Sequence, residues 1–513
     1  MMDFISTHLL ATILFFPALS ALVMLFLPKD EAKLHKWFAL GASLVTFVLS
    51  LVLWFSFNAS QPGYQFEKSY TWYAAIGSSL HLGVDGLSLS MVLLTTFLTP
   101  LAILASFGIN DRTKAYMMLF LFLETGMLGV FTSIDLLVFF VFWEVGLVPM
   151  YFLINQWGSA NRNYASLKFM IYTMGGSLGL LLAVQLLGVL FKTYDLQVIT
   201  AQWSVYSAPI AGIPAATVKT VAFWAFVIAF AVKVPLWPFH TWLPDAHTEA
   251  PTAGSMILAG VLLKLGAYGF LRLILPLYPE QAKVYAGALA FLAVAAIVFG
   301  AFASYAQTDF KRLVAYSSVN HMGFVVLGIA AAAFAVGTDD ARIALNGAIL
   351  QMFNHGLSAA GMFFLVGVIY ERTHTRNLEE FGGLFPLVPV YGGILIFTSM
   401  ASLGLPGLNG FISEFLVVRG AFGVGVNSVS VMAIYTAVAM IGLLFTGAYI
   451  LKGIKKVLHG PMNEHWAHGE HKLTEINARE IIVMVPLMAL ILWIGLYPMW
   501  ILDVINKAVV MLF

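Results

Sequence analysis

The sequence has no cysteine among its 513 residues. Without thiolates, a chain cannot hold an iron–sulfur cluster, a thiolate zinc site or a disulfide bond. Any electron transfer linked to this protein must therefore take place in another chain. We expect this chain to hold neither a cofactor nor a metal ion.

Charged residues are also scarce in this sequence. They make up 10% of it, whereas they are about 25% of an average soluble protein. Hydrophobic residues make up 60%, and the mean hydropathy is +0.90. Because so little polar surface cannot cover water-facing domains, the composition excludes a soluble enzyme and indicates that lipid surrounds most of the chain. A net charge of +1 also excludes nucleic-acid binding, which needs a concentrated basic surface.

Long apolar runs are what the sequence contains instead. About fourteen of them can cross a bilayer of roughly 30 Å, and we number them spans one to fourteen. The first, His8–Leu27, is too long for a signal peptide and is expected to remain as a membrane helix. The sequence therefore predicts an all-α polytopic membrane protein with a single membrane domain over residues 1–513. The spans centre near residues 18, 47, 98, 123, 143, 178, 228, 263, 294, 322, 356, 397, 440 and 491.

Lysine and arginine are distributed unevenly between the loops. The loops after odd-numbered spans hold sixteen of them, whereas the even-numbered loops and the two ends together hold seven. Since cytoplasmic loops carry the excess of basic residues, the odd-numbered loops are expected to face the cytoplasm. An even number of spans then places both termini in the periplasm.

Ionisable residues inside the spans indicate function, because each costs several kcal/mol at bilayer depth unless it is paired or hydrated. They occur on seven different spans, which suggests a lateral row of titratable groups rather than one compact site. The alternative to a functional role is that such a residue is an isolated buried polar group whose hydrogen bonds are made to the backbone. This alternative is strongest for Glu124 and for either histidine taken alone. Arg272 lies near a helix end, from which its side chain can reach the interface. The residues of the row are Glu124, Glu144, Lys233, Lys264, His321, His355 and Glu414.

Spans seven and twelve are expected to be broken helices. Span seven runs into Lys233–Pro238, with His240 close behind, and each of its two prolines removes a helical hydrogen-bond donor. Span twelve contains the segment Leu403–Gly410, rich in glycine and proline, followed by Glu414. Irregular backbone at this depth is tolerated only inside protein or beside water. Paired breaks favour an inverted-repeat transporter with its site at the breaks, although proline and glycine are frequent in membrane helices generally.

The spacing of the charged residues supports such a repeat. Glu144 precedes Lys233 by 89 residues, and His321 precedes Glu414 by 93 residues. Spans five and seven would then correspond to spans ten and twelve, although the two halves share little sequence identity.

A histidine-rich loop precedes the last span. Histidines at three-residue spacing can ligate zinc when a rigid frame holds them, but Pro461, Gly469 and the polar residues around them argue against such a frame. We therefore expect a solvated loop. Its residues are Glu464, His465, His468, Glu470 and His471.

Several stretches of the sequence resemble one known family, the antiporter-like membrane subunits of respiratory complex I and the related multisubunit cation/proton antiporters. The resemblance covers nearly the whole chain. Within the family the sequence is most similar to the M-type members, because span twelve carries the acidic Glu414 where L- and N-type members have a lysine. The chain also ends soon after span fourteen, without the long lateral helix of the L type. The stretches are Phe142–Phe152, Ala231–Pro235, His240–His247, Glu249–Ser255, Gln307–Leu313 and Ser318–Gly323.

The resemblance implies a fold of fourteen helices with two inverted five-helix repeats. Residues 1–110 would form helices one to three, and residues 111–275 would form the first repeat. Residues 276–455 would form the second repeat, and residues 456–513 would form a cytoplasmic loop and the last helix.

The resemblance also implies roles for the charged residues that match its motifs. Glu144 would pair with Lys233. Lys264 would be the central relay lysine, and Glu414 would be the titratable group at the far end. Bringing a carboxylate and an ammonium together favours the charged form of both, and separating them favours the neutral forms. Each change would bias the next pair, because charges in a low-dielectric interior interact over long distances.

The histidines would be intermediates between these charges. His321 and His355 fall in that role, and His240 is a further candidate relay. Glu124 lies outside the matched motifs, so its role rests on its position inside a span.

The function implied is proton translocation by a subunit of a membrane NADH:quinone oxidoreductase, a translocase whose redox chemistry lies in other chains. Flavin, iron–sulfur clusters and quinone would belong to partner subunits. The partners would be L- and N-type membrane subunits, with lipid, protons and internal water, in a bacterial inner membrane. The alternative is a subunit of a multisubunit Na+/H+ antiporter without NADH chemistry. A purely structural scaffold does not account for the number of buried charges.

Overall fold

The computed structural model describes residues 8–427, 430–467, 472–510 and 512. Within these residues, 12 helices are long and apolar enough to cross a membrane, and two shorter apolar helices, Leu9–Met24 and Pro389–Leu403, accompany them. Each of the predicted span centres falls inside one of these helices. The long helices are Ala32–Ser56, Gly86–Gly108, Thr113–Thr132, Leu136–Trp157, Arg162–Phe191, Ala215–Lys233, Thr252–Leu277, Ala286–Ala306, Phe310–Phe334, Asp339–Thr373, Val431–Leu458 and Ala478–Leu496.

The helices form because lipid offers no hydrogen-bond partner to the backbone, so each segment must satisfy its own amides and carbonyls. Several of these helices begin at a short polar residue, whose side chain accepts a hydrogen bond from a backbone amide that would otherwise be unpaired. Asp135 accepts from the amides of Leu137 and Val138, at 2.9 and 3.0 Å. Asn477 and Glu480 form a reciprocal capping box at the start of span fourteen.

Span seven breaks where its prolines predict. Its first helix ends at Lys233, and helical structure resumes as Trp242–Glu249. Between them, the amide of Leu236 donates to Ala231 O at 2.8 Å, and Trp242 Nε1 donates to Val232 O at 2.9 Å. The indole therefore satisfies one of the carbonyls that the break exposes.

Span twelve breaks in the same manner. The helix Pro389–Leu403 ends at Gly404, and Asn409–Asn427 follows. Gly404 and Gly407 have φ values of +83° and +93°, a left-handed conformation that side-chain-bearing residues rarely adopt. The paired breaks agree with the inverted five-helix repeats, which remain a prediction together with the repeat boundaries.

A two-stranded antiparallel hairpin lies at one end of the bundle and was not predicted. Its strands are Gln65–Tyr73 and Ser78–Val84, joined through Gly77 at φ +75°. The short helices Leu196–Trp203 and Met499–Val510 lie at the same end, which we call the hairpin end. The opposite end, where odd-numbered spans finish, we call the loop end.

His81 ties the hairpin to the bundle. Its Nδ1 lies 2.7 Å from Asp195 Oδ2, and its Nε2 lies 2.9 Å from Glu67 Oε1. The hydrogen bond with Asp195 raises the pKa of His81 above its ordinary value, and the bond with Glu67 adds to this against the opposing effect of burial. Because both ring nitrogens face carboxylates, the doubly protonated ring satisfies both contacts.

Candidate functional site

Lys264 lies in the middle of span eight, between two π-helical turns. The turns are Leu258–Leu262 and Phe270–Ile274, and such turns are frequent at functional sites. The side chain is fully buried. Its Nζ donates to the carbonyl of Ala259 and lies 2.7 Å from His355 Nδ1. The widened helix therefore supplies the carbonyl of Ala259 as one acceptor for Lys264, and its other contact is the titratable ring of His355.

His355 leads from Lys264 to a second histidine. The ring centroids of His355 and His321 are 5.6 Å apart, and both side chains are almost wholly buried. His321 Nδ1 lies 2.7 Å from Glu414 Oε1, and its Nε2 lies 3.2 Å from the hydroxyl of Tyr449. Four of the predicted titratable residues, Lys264, His355, His321 and Glu414, therefore follow one another in a row.

Glu414 closes the row beside the break in span twelve. Its Oε1 accepts a hydrogen bond of 2.9 Å from Gln351 Nε2. Ser413 Oγ donates to Gln351 Oε1 at 2.5 Å, which fixes the orientation of that amide. Gly404 faces Glu414 Oε2 closely enough that a Cβ there would lie 3.6 Å from the oxygen. The glycine-rich break thus brings bare backbone to one side of the carboxyl group.

A pair of asparagines joins this break to span eleven. Asn354 Nδ2 donates to Asn409 O at 2.7 Å, and Asn409 Nδ2 donates to Asn354 O at 3.1 Å. Asn354 precedes His355 in the chain, so the start of the second helix of span twelve is held against the turn that carries this histidine.

Lys233 ends the first helix of span seven, 3% exposed. Its Nζ lies 4.5 Å from the centroid of the Trp143 ring, a cation–π contact. Trp143 Nε1 donates to Ser177 Oγ at 3.0 Å, which holds the indole in place. Gly266 lets span eight pass close by, since a Cβ there would lie 3.0 Å from the Cβ of Lys233. Span seven therefore crosses span eight at Gly266, two residues beyond Lys264.

Glu144 lies next to Trp143, just before the kink at Gly146 in span five. It is close enough to Lys233 for their charges to interact. Glu144 Oε1 is buried and, among the described residues, has no hydrogen-bond partner. The pair of Glu144 with Lys233 remains a prediction, because the direct contact of the ammonium in this conformation is the indole.

Glu124 and His240 lie off the row. Glu124 is fully buried, and neither of its carboxyl oxygens has a hydrogen-bond partner in the described part of the chain. Gly126 packs span four directly against the backbone of Gly146, so Glu124 is near the kink that follows Glu144. His240 is half-buried within the break in span seven, with the centroid of its ring 6.1 Å from that of Tyr316.

His247 is a buried histidine that the sequence analysis did not single out. It lies on the second helix of span seven, and its ring stacks on Phe363 at 4.3 Å. Neither ring nitrogen has a hydrogen-bond partner among the described residues. Lys264, His355 and Lys311 all lie within electrostatic range of it. The available signal was its place at the end of the matched stretch His240–His247, which follows the prolines of the broken span.

Lys311 is one of the sixteen basic residues assigned to the odd-numbered loops. The structure instead buries it in the first turn of span ten, where it is 6% exposed. Its Nζ donates to the carbonyl of Ala250, at the loop end of span seven. Asp309 lies nearby and pairs with Arg376, Nε to Oδ2, at 3.2 Å. His247 therefore lies within electrostatic range of Lys311 at the loop end and of Lys264.

Metal ligands do not gather in the described residues: no group of three or more histidine, cysteine, aspartate or glutamate side chains is arranged to hold an ion there. Of the histidine-rich loop, Glu464 and His465 form a short helical turn with Trp466. The remaining candidates, His468, Glu470 and His471, lie outside the described residues.

Comparison with known proteins decides the family. Residues 133–442 match the family model described as "NADH:quinone oxidoreductase/Mrp antiporter, TM". The NADH-quinone oxidoreductase subunit M of Rhodobacter capsulatus is 39% identical over 98% of this chain and 96% of its own length. The chain belongs to the subunit M family of NADH-quinone oxidoreductases. The resemblance inferred from the motifs is confirmed.

Solved structures agree with this membership. A chain of respiratory complex I from Thermus thermophilus, solved with bound NADH, matches with a TM-score of 0.83 at 27% identity, over 98% of this chain and 99% of that one. A chain of the Mrp complex from Dietzia shares the fold, with a TM-score of 0.81, at 24% identity and over 52% of its length. The predicted class of fold, a helical membrane subunit of the antiporter-like type, is confirmed.

Proposed function

We propose that this subunit M family member translocates protons as an antiporter-like membrane subunit of an NADH:quinone oxidoreductase. The observation that carries the proposal is the row in which Lys264 contacts His355, His355 faces His321, and His321 contacts Glu414. Since ionisable groups in membrane segments are costly, a contacting row of four is hard to explain by stability alone. It is what proton transfer between neighbouring sites needs.

The row works as a set of coupled charges. An ammonium at Lys264 donates to His355, and release of its proton leaves a neutral amine beside a ring that can accept it. Glu414 stabilises a positive charge on His321 at 2.7 Å. Because these groups are buried, a change of charge at one site shifts the proton affinity of the next. A proton can thus advance only as its neighbours change state.

The pair of Glu144 and Lys233 is the proposed input to this row. When the carboxylate approaches the ammonium, the charged form of both is favoured. When they separate, the partner that Lys233 keeps among the described residues is the indole of Trp143, a weaker partner for its charge. Span seven passes span eight closely at Gly266, two residues beyond Lys264, and we propose that the charge of Lys233 acts on Lys264 across this crossing.

The redox chemistry is assigned to partner chains. Flavin, iron–sulfur clusters and quinone are the proposed cofactors of those chains, and with no cysteine in its sequence this chain has no ligand for such a cluster. The membrane partners are proposed to be L- and N-type antiporter-like subunits. The Na+/H+ antiporter alternative is disfavoured, because the curated relative at 39% identity over nearly full length is an NADH-quinone oxidoreductase subunit.

His321→Gln in the assembled, reconstituted enzyme tests the proposal. Glutamine can still bond to Glu414 and Tyr449, but it cannot take up a proton. We expect proton uptake driven by NADH oxidation to fall about 100-fold, the lower end of what a positioned proton-transfer group contributes. Native proton uptake at normal assembly would show that the row is structural and would contradict the proposal.

The proposed orientation places the hairpin end in the periplasm. Because the chain has no native cysteine, single introduced cysteines report on their own side of the membrane. Ser60 is exposed at the hairpin end, and Glu464 is exposed at the loop end. An impermeant thiol reagent added to right-side-out membranes should label Ser60→Cys and leave Glu464→Cys unlabelled, with the reverse in inverted vesicles. Labelling of both from one side would exclude this topology.

A further inference from the structure

Arg272 lies at the hairpin end of span eight. The sequence predicts that its side chain reaches the membrane interface, but the structure buries it inside the protein. It is 7% exposed, because a carboxylate inside the protein faces it. Its Nη2 lies 2.6 Å from Asp85 Oδ1 and donates to Ser88 Oγ at 3.1 Å, and its Nε donates to the hydroxyl of Tyr268 at 3.1 Å. The guanidinium is therefore fixed by three different side chains.

These contacts extend the polar face of span eight away from Lys264. Lys264, Tyr268 and Arg272 recur at intervals of four residues, so they lie on one face and cover about 12 Å of helix. The Tyr268 hydroxyl also donates to Phe131 O at 3.2 Å and lies 3.0 Å from Ser88 Oγ. The hydroxyl groups of Tyr268 and Ser88 thus flank the ion pair, and Tyr268 lies about one helical turn from Lys264.

A cavity of about 380 Å³ lies on the other side of the ion pair. Asp85 and Arg272 line its inner wall. Gln61, Gln197 and Lys507, which are exposed, line its outer part and open it to the hairpin end. The ion pair therefore separates a water-accessible cavity from the buried hydroxyls of Tyr268 and Ser88.

Neither member of the pair is suited to carry a proton. Burial alone would raise the pKa of Asp85, but the Arg272 guanidinium lowers it below its ordinary value, so the carboxylate stays ionised. A guanidinium does not release its proton at physiological pH. The guanidinium also has no acceptor atom to offer an incoming proton, and its N–H groups donate to Ser88 and Tyr268 as well as facing Asp85.

We propose that the Asp85–Arg272 ion pair is a closed gate, which keeps protons on Lys264 from escaping to the hairpin-end cavity. The inference rests on the proposed function, since it assumes that Lys264 carries protons. The gate makes translocation possible by preventing a passive connection between Lys264 and the solution beyond the cavity. Removing both charges should open that connection.

The test is an Asp85→Asn/Arg272→Gln double variant of the whole enzyme in proteoliposomes. The two amides keep similar shapes and leave no unpaired charge, and the amide oxygen introduced at position 85 can still accept from the Ser88 amide, as Asp85 does where it caps span three. With an imposed pH gradient and no NADH, we expect passive proton flux to rise several-fold. Adding Lys264→Met to the double variant should bring the flux back to the native level, whereas a leak through a damaged bundle would persist.

The matched control removes a different buried ion pair. Arg372 and Glu480 lie 2.7 Å apart at the loop end. The Arg372→Gln/Glu480→Gln variant likewise replaces both charges with amides, and it should leave the flux native. Native flux in the Asp85/Arg272 variant, or a leak that survives Lys264→Met, would overturn the gate. If the double variant does not assemble, Arg272→Gln alone carries the test, because it removes the guanidinium and leaves the Asp85 carboxylate free to take up a proton. A smaller leak is expected, and tight vesicles would contradict the gate.

The outcome separates the gate from the proposed function. If the gate is wrong but the function is right, the Asp85/Arg272 variant stays tight while His321→Gln still stops proton uptake. If the chain translocates no protons, His321→Gln pumps normally whatever the Asp85/Arg272 variant does.

Discussion

Lys264→Met is expected to reduce coupled, quinone-linked NADH oxidation by about 100-fold while the enzyme still assembles, since this is the lower end of the contribution of a positioned proton-transfer group. Methionine matches the length of the lysine chain and suits an apolar helix, so the packing of span eight should survive. It cannot hold a proton or donate to His355, which now lies 2.7 Å from the ammonium. The row would therefore be cut at its centre.

Lys219→Met is the matched control for this change. Lys219 is also buried, with its Nζ donating to Ser204 O at 3.0 Å, but it lies at the hairpin end of span seven and outside the row. It should retain native turnover. Equal rates in the two variants at equal assembly would mean that Lys264 is not used in turnover.

Glu144→Gln is expected to be far more damaging than Glu144→Asp. Glutamine keeps the size of the side chain but carries no charge, so Lys233 loses the carboxylate with which it interacts. A buried ammonium without a carboxylate costs several kcal/mol and tends to release its proton. Lys233 would then remain neutral through the cycle. We expect turnover to fall about tenfold or more, since one tenfold step needs only about 1.4 kcal/mol.

Aspartate at position 144 keeps the charge on a shorter chain, so it should retain part of the turnover. The measurement is NADH oxidation and proton uptake in membranes with equal amounts of assembled enzyme. Glu124→Gln is the comparison, since Glu124 is buried nearby but its oxygens contact no partner among the described residues. Equal activity of Glu144→Gln and Glu144→Asp would show that charge at this position is not what the mechanism uses.

Composition and hydropathy were sufficient to predict the helices and their breaks. An apolar run of membrane length is a local property, and so is the loss of a backbone donor at Pro235 or the left-handed turn that Gly404 permits. The buried charges could be found in the same way, because an ionisable residue stands out in an apolar run. The resemblance to the family then implied the order of these residues, from Lys264 through the histidines to Glu414.

The partners of these charges could not be read from the sequence. Lys264 and His355 are 91 residues apart, and His321 and Glu414 are 93 residues apart, so each contact depends on how distant helices pack. The same applies to Arg272, whose partner Asp85 lies 187 residues away. A charge near a helix end was expected to reach the interface, and the structure places it in an internal ion pair instead.

The uncharged polar residues that hold the row in place were also not predicted from the sequence. Gln351 orients Glu414, and Asn354 holds the break in span twelve. Both lie on span eleven with His355, at helical spacing that puts them on one face. The hairpin was not predicted because its strands lie between two long apolar runs, and hydropathy over the length of a membrane helix carries no signal for strands of seven to nine residues.

The most direct test of the account is proton uptake by the reconstituted enzyme carrying Lys264→Met, measured per NADH oxidised beside Lys219→Met. The account predicts that proton uptake and NADH oxidation are lost together in Lys264→Met and kept in Lys219→Met. Native proton uptake per NADH at a native rate in Lys264→Met would contradict the claim that protons pass along the row from Lys264 to Glu414.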